Sequence, residues 1–181
     1  MNGNITVRRV GANEASRYIE ALADVLIDCV EGGASVSFML PISRTTAVDF
    51  WTRVAHGVAR NERILLVAED AGGDVVGTVQ VVVDQPENQP HRADVAKMLV
   101  ARRARRRGIA QRLMAAADEA ARDAGKSVLV LDTVTGGNAE RLYAQNASMR
   151  AGWQRVGVVP NYALMPDGTL CATTFFHKQL A

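Results

Sequence analysis

Two hydrophobic periods alternate along this chain. Short runs rich in Val, Ile and Leu, bounded by Gly, Pro, Asn and Asp, predict strands at residues 5–10, 64–69, 75–83, 92–100, 127–132, 153–159 and 169–178. Between them, apolar residues recur at helical spacing. A first helix runs from a cap at Asn13 or Ser16 to about Val30, with Leu22, Val25, Leu26 and Cys29 on one face. A second runs from Thr45 or Thr46 to about Arg60, a third over 111–124, and a fourth from Asn138 to about Arg150. Ala71-Gly72-Gly73-Asp74 reads as a hairpin turn, and turns are also expected at Pro160-Asn161 and Pro166-Asp167-Gly168. The segment 127–132 is continuously apolar up to Asp132, as befits a strand buried on both faces. The order β-α-α-β-β-β-α-β-α-β-β predicts an α/β domain spanning 1–181, a mixed sheet with helices on both faces.

Composition adds little to that picture. The chain has 181 residues, 48% hydrophobic and 22% charged, an ordinary globular balance. A formal net charge of +2 gives no reason to expect a nucleic-acid partner. No apolar run reaches membrane-spanning length, and Met1-Asn2-Gly3-Asn4 lacks the charged and apolar regions of a signal peptide, so a cytoplasmic location is expected. Cys29 and Cys171 fit no metal spacing or disulfide framework and read as reduced thiols; no metal site is expected.

The informative segment is Arg105-Arg106-Arg107-Gly108-Ile109-Ala110, within a run holding five arginines between Arg102 and Arg107. It joins the strand that ends at Met98-Leu99-Val100 to the third helix. A strand turning through a basic, glycine-containing loop into a helix aims free backbone N–H groups at one point, an anion site suited to a diphosphate. A Gly-x-Gly-x-x-Gly dinucleotide fingerprint is absent, since only Gly108 is present and it lies deep in the chain.

The spacing Arg105-x-x-Gly108-x-Ala110, the strand–turn–helix around it and the later Ala139-x-x-Leu142-Tyr143 resemble the GNAT N-acetyltransferases over nearly the whole chain. His91-Arg92-Ala93-Asp94, Leu131-Asp132-Thr133, Arg155-Val156-Gly157 and Pro166-Asp167-Gly168 look closer still to the tabtoxin-resistance acetyltransferase type. The resemblance implies a mostly antiparallel sheet of six to seven strands, flanked by about four helices and splayed between strands 4 and 5, where acetyl-CoA lies. It implies that backbone groups of Met98, Leu99 and Val100 meet the pantetheine arm and that the N–H groups of Arg105, Arg106, Arg107, Gly108, Ile109 and Ala110 hold the diphosphate. Two departures stand out. Gly136 occupies the position where many members carry Asn; Asn138, close by but out of register, is the amide expected to touch the pantetheine arm, within a segment Thr135 to Asn138. Tyr143 and Gly152 are eight residues apart, an apparent insertion of residues 145–149.

Acetyl transfer from a thioester to an amine needs a base for the amine and a proton for the departing thiolate. By resemblance Tyr143 is the proton donor and also touches the cofactor. Asp94 and Asp132 are the candidate bases or ammonium-binding groups, with His91 a third candidate. Trp51 and Phe50 read as core rather than substrate platform, and Tyr162 as a possible wall of the acceptor pocket. The expected activity is acetyl-CoA-dependent N-acetylation of a small primary amine, an amino-acid-like toxin or metabolite being one class, by a monomer or homodimer. A protein N-acetyltransferase and a non-catalytic acyl-CoA binder are the alternatives.

Overall fold

The structure, a computed structural model, describes residues 4–145 and 152–180. The elements are β1 (Thr6–Val10), α1 (Ile19–Glu31), α2 (Arg44–Ala59), β2 (Arg63–Glu69), β3 (Val75–Val82), β4 (Arg92–Val100), α3 (Ile109–Asp123), β5 (Val128–Val134), α4 (Asn138–Gln145), β6 (Trp153–Leu164) and β7 (Leu170–Gln179), with short 3-10 turns before α1 and α3. The strands form one sheet in the order β1-β2-β3-β4-β5-β7-β6. Every neighbouring pair is antiparallel except β4 and β5.

Burial explains why the strands read as nearly continuous apolar runs. In β2, Ile64, Leu66 and Ala68 face one core, and Leu65 and Val67 face the other. The first core lies under α3, through Ile109, Leu113, Met114 and Ala117, and takes in Tyr143 of α4. The second lies under α1 and α2, through Leu22, Leu26, Trp51 and Val54. Each of the larger aliphatic side chains contributes about 1.5–3 kcal/mol by leaving water, so both faces of the sheet hold its helices firmly.

Three local expectations change. Neither Asn13 nor Ser16 caps α1, which starts at Ile19 behind the 3-10 turn Ala15–Tyr18, with Tyr18 at its N-cap and no side-chain cap bond. The cap of α2 is Ser43, whose Oγ accepts the Thr46 N–H at 3.0 Å, two to three residues earlier than the sequence suggests. Pro160-Asn161 does not end a strand. Asn161 adopts φ +52°, and the register with β7 shifts between Val159 and Ala163, so a bulge carries β6 on to Leu164. The apparent insertion at 145–149 falls outside the described residues apart from Gln145, the last residue of α4.

One feature of the sheet creates the site. The parallel pair β4–β5 holds for three residue pairs only, Arg92–Val128, Ala93–Leu129 and Asp94–Val130. Beyond them β4 stays with β3 and β5 stays with β7, so the strands part and the sheet opens as a V.

Candidate active site

The loop after β4 adopts the geometry of an anion-binding turn. Arg106 and Gly108 both have positive φ, +62° and +73°, and Gly108 is the N-cap of α3. Positive φ is costly for residues with a Cβ, which is why glycine stands at the cap. The N–H groups of Gly108, Ile109, Ala110 and Gln111 have no intrahelical acceptors, the helix ladder beginning with Arg112 N–H donating to Gly108 O at 3.2 Å. With the positive helix end behind them, these donors converge on one cleft.

That cleft, about 330 Å³, is lined by Val100, Ala104, Arg105, Arg106, Gly108, Ile109, Ala110 and Gln111, with Leu142 of α4 across from them. The predicted loop residues are therefore assembled at the mouth of the V. Their side chains divide the work. Arg102 is committed to Asp28 at 2.8 Å and Arg103 to Asp70 at 3.5 Å. Arg105 Nε donates to Val100 O at 3.2 Å, beside the buried Cys29 thiol that also reaches this carbonyl. Arg106 is exposed on the cleft wall and has no side-chain partner among the described residues. Arg107 is half-buried in the same loop. Met98, Leu99 and Val100 sit on the stretch of β4 whose β5-facing edge is unpaired, although the Val100 carbonyl is already engaged. Asn138 is exposed as the first residue of α4. Ahead of it Gly136 has φ +79° and donates its N–H to Glu140, whose other oxygen accepts the Thr174 hydroxyl at 2.7 Å. A Cβ at Gly136 would meet nothing within 4 Å, so the missing Asn reflects no lack of space.

The candidate acid–base residues are not equivalent. Asp94 ends the paired part of β4, and its carboxylate is occupied by the Arg92 guanidinium and by Gln85 Nε2 at 3.0 Å. Asp132 lies two residues past the last β4–β5 pair, inside the V, with no side-chain partner among the described residues. Its side chain is exposed at the opening, yet the walls of the gap take away part of its hydration and push its pKa up; Lys97 opposes this and Asp94 adds to it. His91 lies at the closed end, before the first paired residue, where its carbonyl accepts the Ser127 and Val128 N–H groups. The β4–β5 ladder thus separates it from the opening, which removes it as a candidate base.

Tyr143 is 5% exposed. Its ring sits 6.0 Å from that of Trp153 and 5.8 Å from that of Phe176, packing α4 on the sheet, while its neighbour Leu142 lines the cleft. Burial, reinforced by the Asp132 charge, raises the phenol's pKa and keeps it protonated. Trp51 is core, as its helical position predicts, and Phe50 is half-buried against it. Tyr162 is exposed on β6, edge-on to Phe175 at 5.3 Å.

Lys97 escaped the sequence reading. A bulge in β4, marked by its φ of +52° and a register shift between Thr78 and Gln80, turns it to the α2 face. There its Nζ meets Ser37 Oγ at 3.2 Å and lies 5.9 Å from the Phe50 ring centroid. The available signal was a single charged residue in the apolar second half of β4, from Val95 to Val100. No helix of the described residues is long and apolar enough to cross a membrane, and no group of three or more potential metal ligands occurs among them.

Comparison with known proteins agrees with this geometry. The family model of the acetyltransferase (GNAT) family matches residues 35–147. An uncharacterized N-acetyltransferase from the hisH-hisA intergenic region of Azospirillum brasilense is 32% identical over 131 residues, covering 71% of this chain and 75% of that protein. Among solved structures, an N-acetyltransferase from Staphylococcus aureus Mu50 superimposes with a TM-score of 0.76 at 18% identity, covering 98% of this chain and 99% of that one. A ribosomal-protein-alanine N-acetyltransferase from Brucella melitensis gives 0.73 at 25% identity, over 97% and 99%. A phosphinothricin acetyltransferase from Sinorhizobium meliloti, solved in complex with acetyl-CoA, gives 0.74 at 19% identity, over 98% and 89%. With the splayed β4–β5 pair, the glycine-capped loop and a family model matching more than half its length, this chain belongs to the acetyltransferase (GNAT) family, the acetyl-CoA-dependent N-acetyltransferases.

Proposed function

We propose that this protein transfers the acetyl group of acetyl-CoA directly to the primary amine of a small molecule. The observation that carries the reading is the cleft that joins the N–H donors of Gly108–Gln111 to Leu142 across the opened strands. In this reading the diphosphate takes those donors, Arg106 adds a free guanidinium, and the pantetheine arm follows the unpaired edge of β4 from Val100 towards Asp94. The thioester then lies near Asp132. The amine nitrogen attacks the thioester carbon and the C–S bond breaks. The amine's surplus proton passes to the Asp132 carboxylate, and the thiolate takes the Tyr143 proton. Three features of the site fit these roles. Asp132 has no side-chain partner among the described residues, whereas Asp94 is engaged by Arg92 and Gln85. A desolvated carboxylate is a stronger base than a free one. Tyr143 is held protonated and lies close enough to feel the Asp132 charge. Direct attack suits a site whose adjacent thiol, Cys29, is buried with its pKa raised.

A small acceptor is favoured because the loop between α1 and α2 is tied to the β6–β7 end of the sheet. Ser35 Oγ donates to Leu164 O at 2.9 Å and Leu40 N–H to Pro166 O at 2.9 Å, a bridge that narrows the acceptor side against a long chain. Two free thiols suit a reducing, cytoplasmic setting. The test is thiol release from acetyl-CoA with a panel of small amines and of peptides bearing free N-termini. Turnover with small amines is expected; turnover with peptides alone would replace this reading by protein N-acetylation.

A further inference from the structure

We propose that Lys97 reads an anionic group on the acceptor, so that the preferred substrate is a primary amine that also carries a carboxylate. The inference rests on the acetyltransferase reading above and adds the chemistry of the second substrate.

Charges and hydrogen-bond donors are out of balance around Lys97. Among the described residues Lys97 has no carboxylate within ion-pairing distance; its nearest polar partner is the neutral Ser37 hydroxyl. Its ammonium is half-buried, and burial is the largest influence on it, lowering its pKa. Of the charges around it, Asp132 attracts and Arg63 repels. A second cation therefore stands near Lys97, while the carboxylate that acts on it among the described residues is the group assigned to the amine.

The neighbouring interior is also rich in donors and poor in acceptors. Gln80 is 1% exposed and pairs with Ala96, the residue before Lys97, across the β3–β4 ladder. Its Oε1 accepts from Arg63 Nη1 at 2.9 Å, but its Nε2 has no acceptor. Arg63 Nε and Trp51 Nε1 are likewise buried without acceptors. Arg63 is pressed against α2 where Gly57 leaves room for it, since a Cβ at Gly57 would lie 2.6 Å from Arg63 Nε. Trp51 leads back to Lys97 through Phe50, 5.0 Å from it ring to ring. Buried donors without acceptors are rare and unfavourable; among the described residues they leave the interior behind Lys97 with an excess of positive polarity, which a compact anion held at the ammonium would offset.

The backbone points the same way. Lysine at positive φ is uncommon, and a bulge is a means of re-aiming one side chain out of a ladder. Here it delivers the ammonium to the face that also bears Asp94 and Asp132 and to the loop that closes on the β6–β7 turn. The acceptor side thus has two poles, Asp132 for the amine and Lys97 for the anion. That pairing matches an amino acid and disfavours a plain alkylamine, whose tail would leave Lys97 uncompensated.

The test measures acetylation of the standard amino acids, each against its carboxamide, by wild-type protein, Lys97→Met and Lys97→Arg, with acetyl-CoA affinity measured in parallel by calorimetry. Wild type should prefer the free carboxylate. Lys97→Met should raise KM for it by about tenfold to a hundredfold, the range for a lost charge-assisted hydrogen bond, and erase the preference over the amide. Lys97→Arg should restore part of it, and acetyl-CoA affinity should match wild type in both variants. Equal or better turnover of the amides by wild type, a preference that survives in Lys97→Met, or acetyl-CoA binding with no turnover of any amino acid would overturn the inference and leave the cofactor reading standing. Failure of wild type to bind acetyl-CoA would instead overturn the cofactor reading, and this inference with it.

Discussion

Replacing Gly108 with valine should weaken acetyl-CoA binding while the domain stays folded, and a matched glycine elsewhere supplies the control. Gly108 and Gly125 have the same φ, +73°. Gly125 follows α3, where its N–H donates to Arg122 O and the Lys126 N–H to Ala121 O, a Schellman closure at the far end of the helix from the cleft. An ideal Cβ meets nothing within 4 Å at Gly125 and only Gln111 Oε1 at 3.5 Å at Gly108, so neither substitution is blocked by a clash at the Cβ. Both incur the left-handed backbone strain of a residue with a Cβ, about 1–2 kcal/mol. For a domain of this size that lowers Tm by roughly 2–8 °C, within the usual reserve of stability. The two differ in what relaxation does. At Gly108 any retreat from positive φ turns the first N–H groups of α3 away from their common point. Each charge-assisted N–H bond lost is worth about 1.5–3 kcal/mol, about tenfold to a hundredfold in Kd. Calorimetric titration with acetyl-CoA, alongside thermal melts, separates the effects. Gly125→Val should melt lower and bind normally; Gly108→Val should melt lower and bind poorly. Normal affinity in a folded Gly108→Val protein, or equal losses of affinity in both, would refute the loop assignment.

Asp132→Asn should reduce kcat/KM by about a hundredfold to ten-thousandfold, the usual span for a general base, and Asp94→Asn by far less, because Asp94 is already engaged; a reversed order would exchange their roles. Because the folded pKa of Asp132 is raised, the acid limb of the wild-type kcat/KM profile should lie above the ordinary carboxylate range and vanish in Asp132→Asn. The stability sign follows: the folded state holds this proton more tightly than the unfolded chain, so the group favours folding at low pH and that contribution is lost as pH rises through the raised value. Asp132→Asn should therefore melt higher than wild type at neutral pH, and a lower Tm there would contradict the desolvation account. Tyr143→Phe keeps the ring contacts with Trp153 and Phe176, so kcat should fall with Tm and acetyl-CoA affinity nearly constant; an unaltered kcat would remove the proton-donor role. Gly136→Asn should fold without loss, because asparagine tolerates φ near +79° and the space is open, and a markedly lower Tm would show that the glycine is required.

What the sequence made legible is what local chemistry determines. The loop at 105–110 could be read because glycine before a helix and after an apolar strand encodes a backbone conformation. Helices on both faces of the sheet could be read from the order of the elements, and β2 shows them in its alternation between two cores. β5, expected to be buried on both faces, buries only Leu129 and Leu131; Val128 and Val130 are half-buried, and Asp132, past the parting from β4, is exposed. What could not be read depends on non-local partners. Pro160-Asn161 carries a turn signal, but β7 continues alongside and absorbs it as a bulge. Asp94 and Asp132 look alike in sequence, and only the Arg92 and Gln85 contacts, with the parting of β4 from β5, tell them apart. Tyr143 carried a catalytic motif, yet its burial between Trp153 and Phe176 is a tertiary fact. Lys97 owes its place to a bulge set by pairing with β3, which no local pattern announces.

The central claim is that acetyl-CoA lies in the V between β4 and β5 with its diphosphate on the first turn of α3. A crystal structure of the protein with acetyl-CoA tests it most directly. The account predicts diphosphate oxygens within hydrogen-bonding distance of the Gly108–Gln111 N–H groups and the thioester between Asp132 and Tyr143. A cofactor bound with its diphosphate elsewhere, or a thioester remote from Asp132, would contradict it.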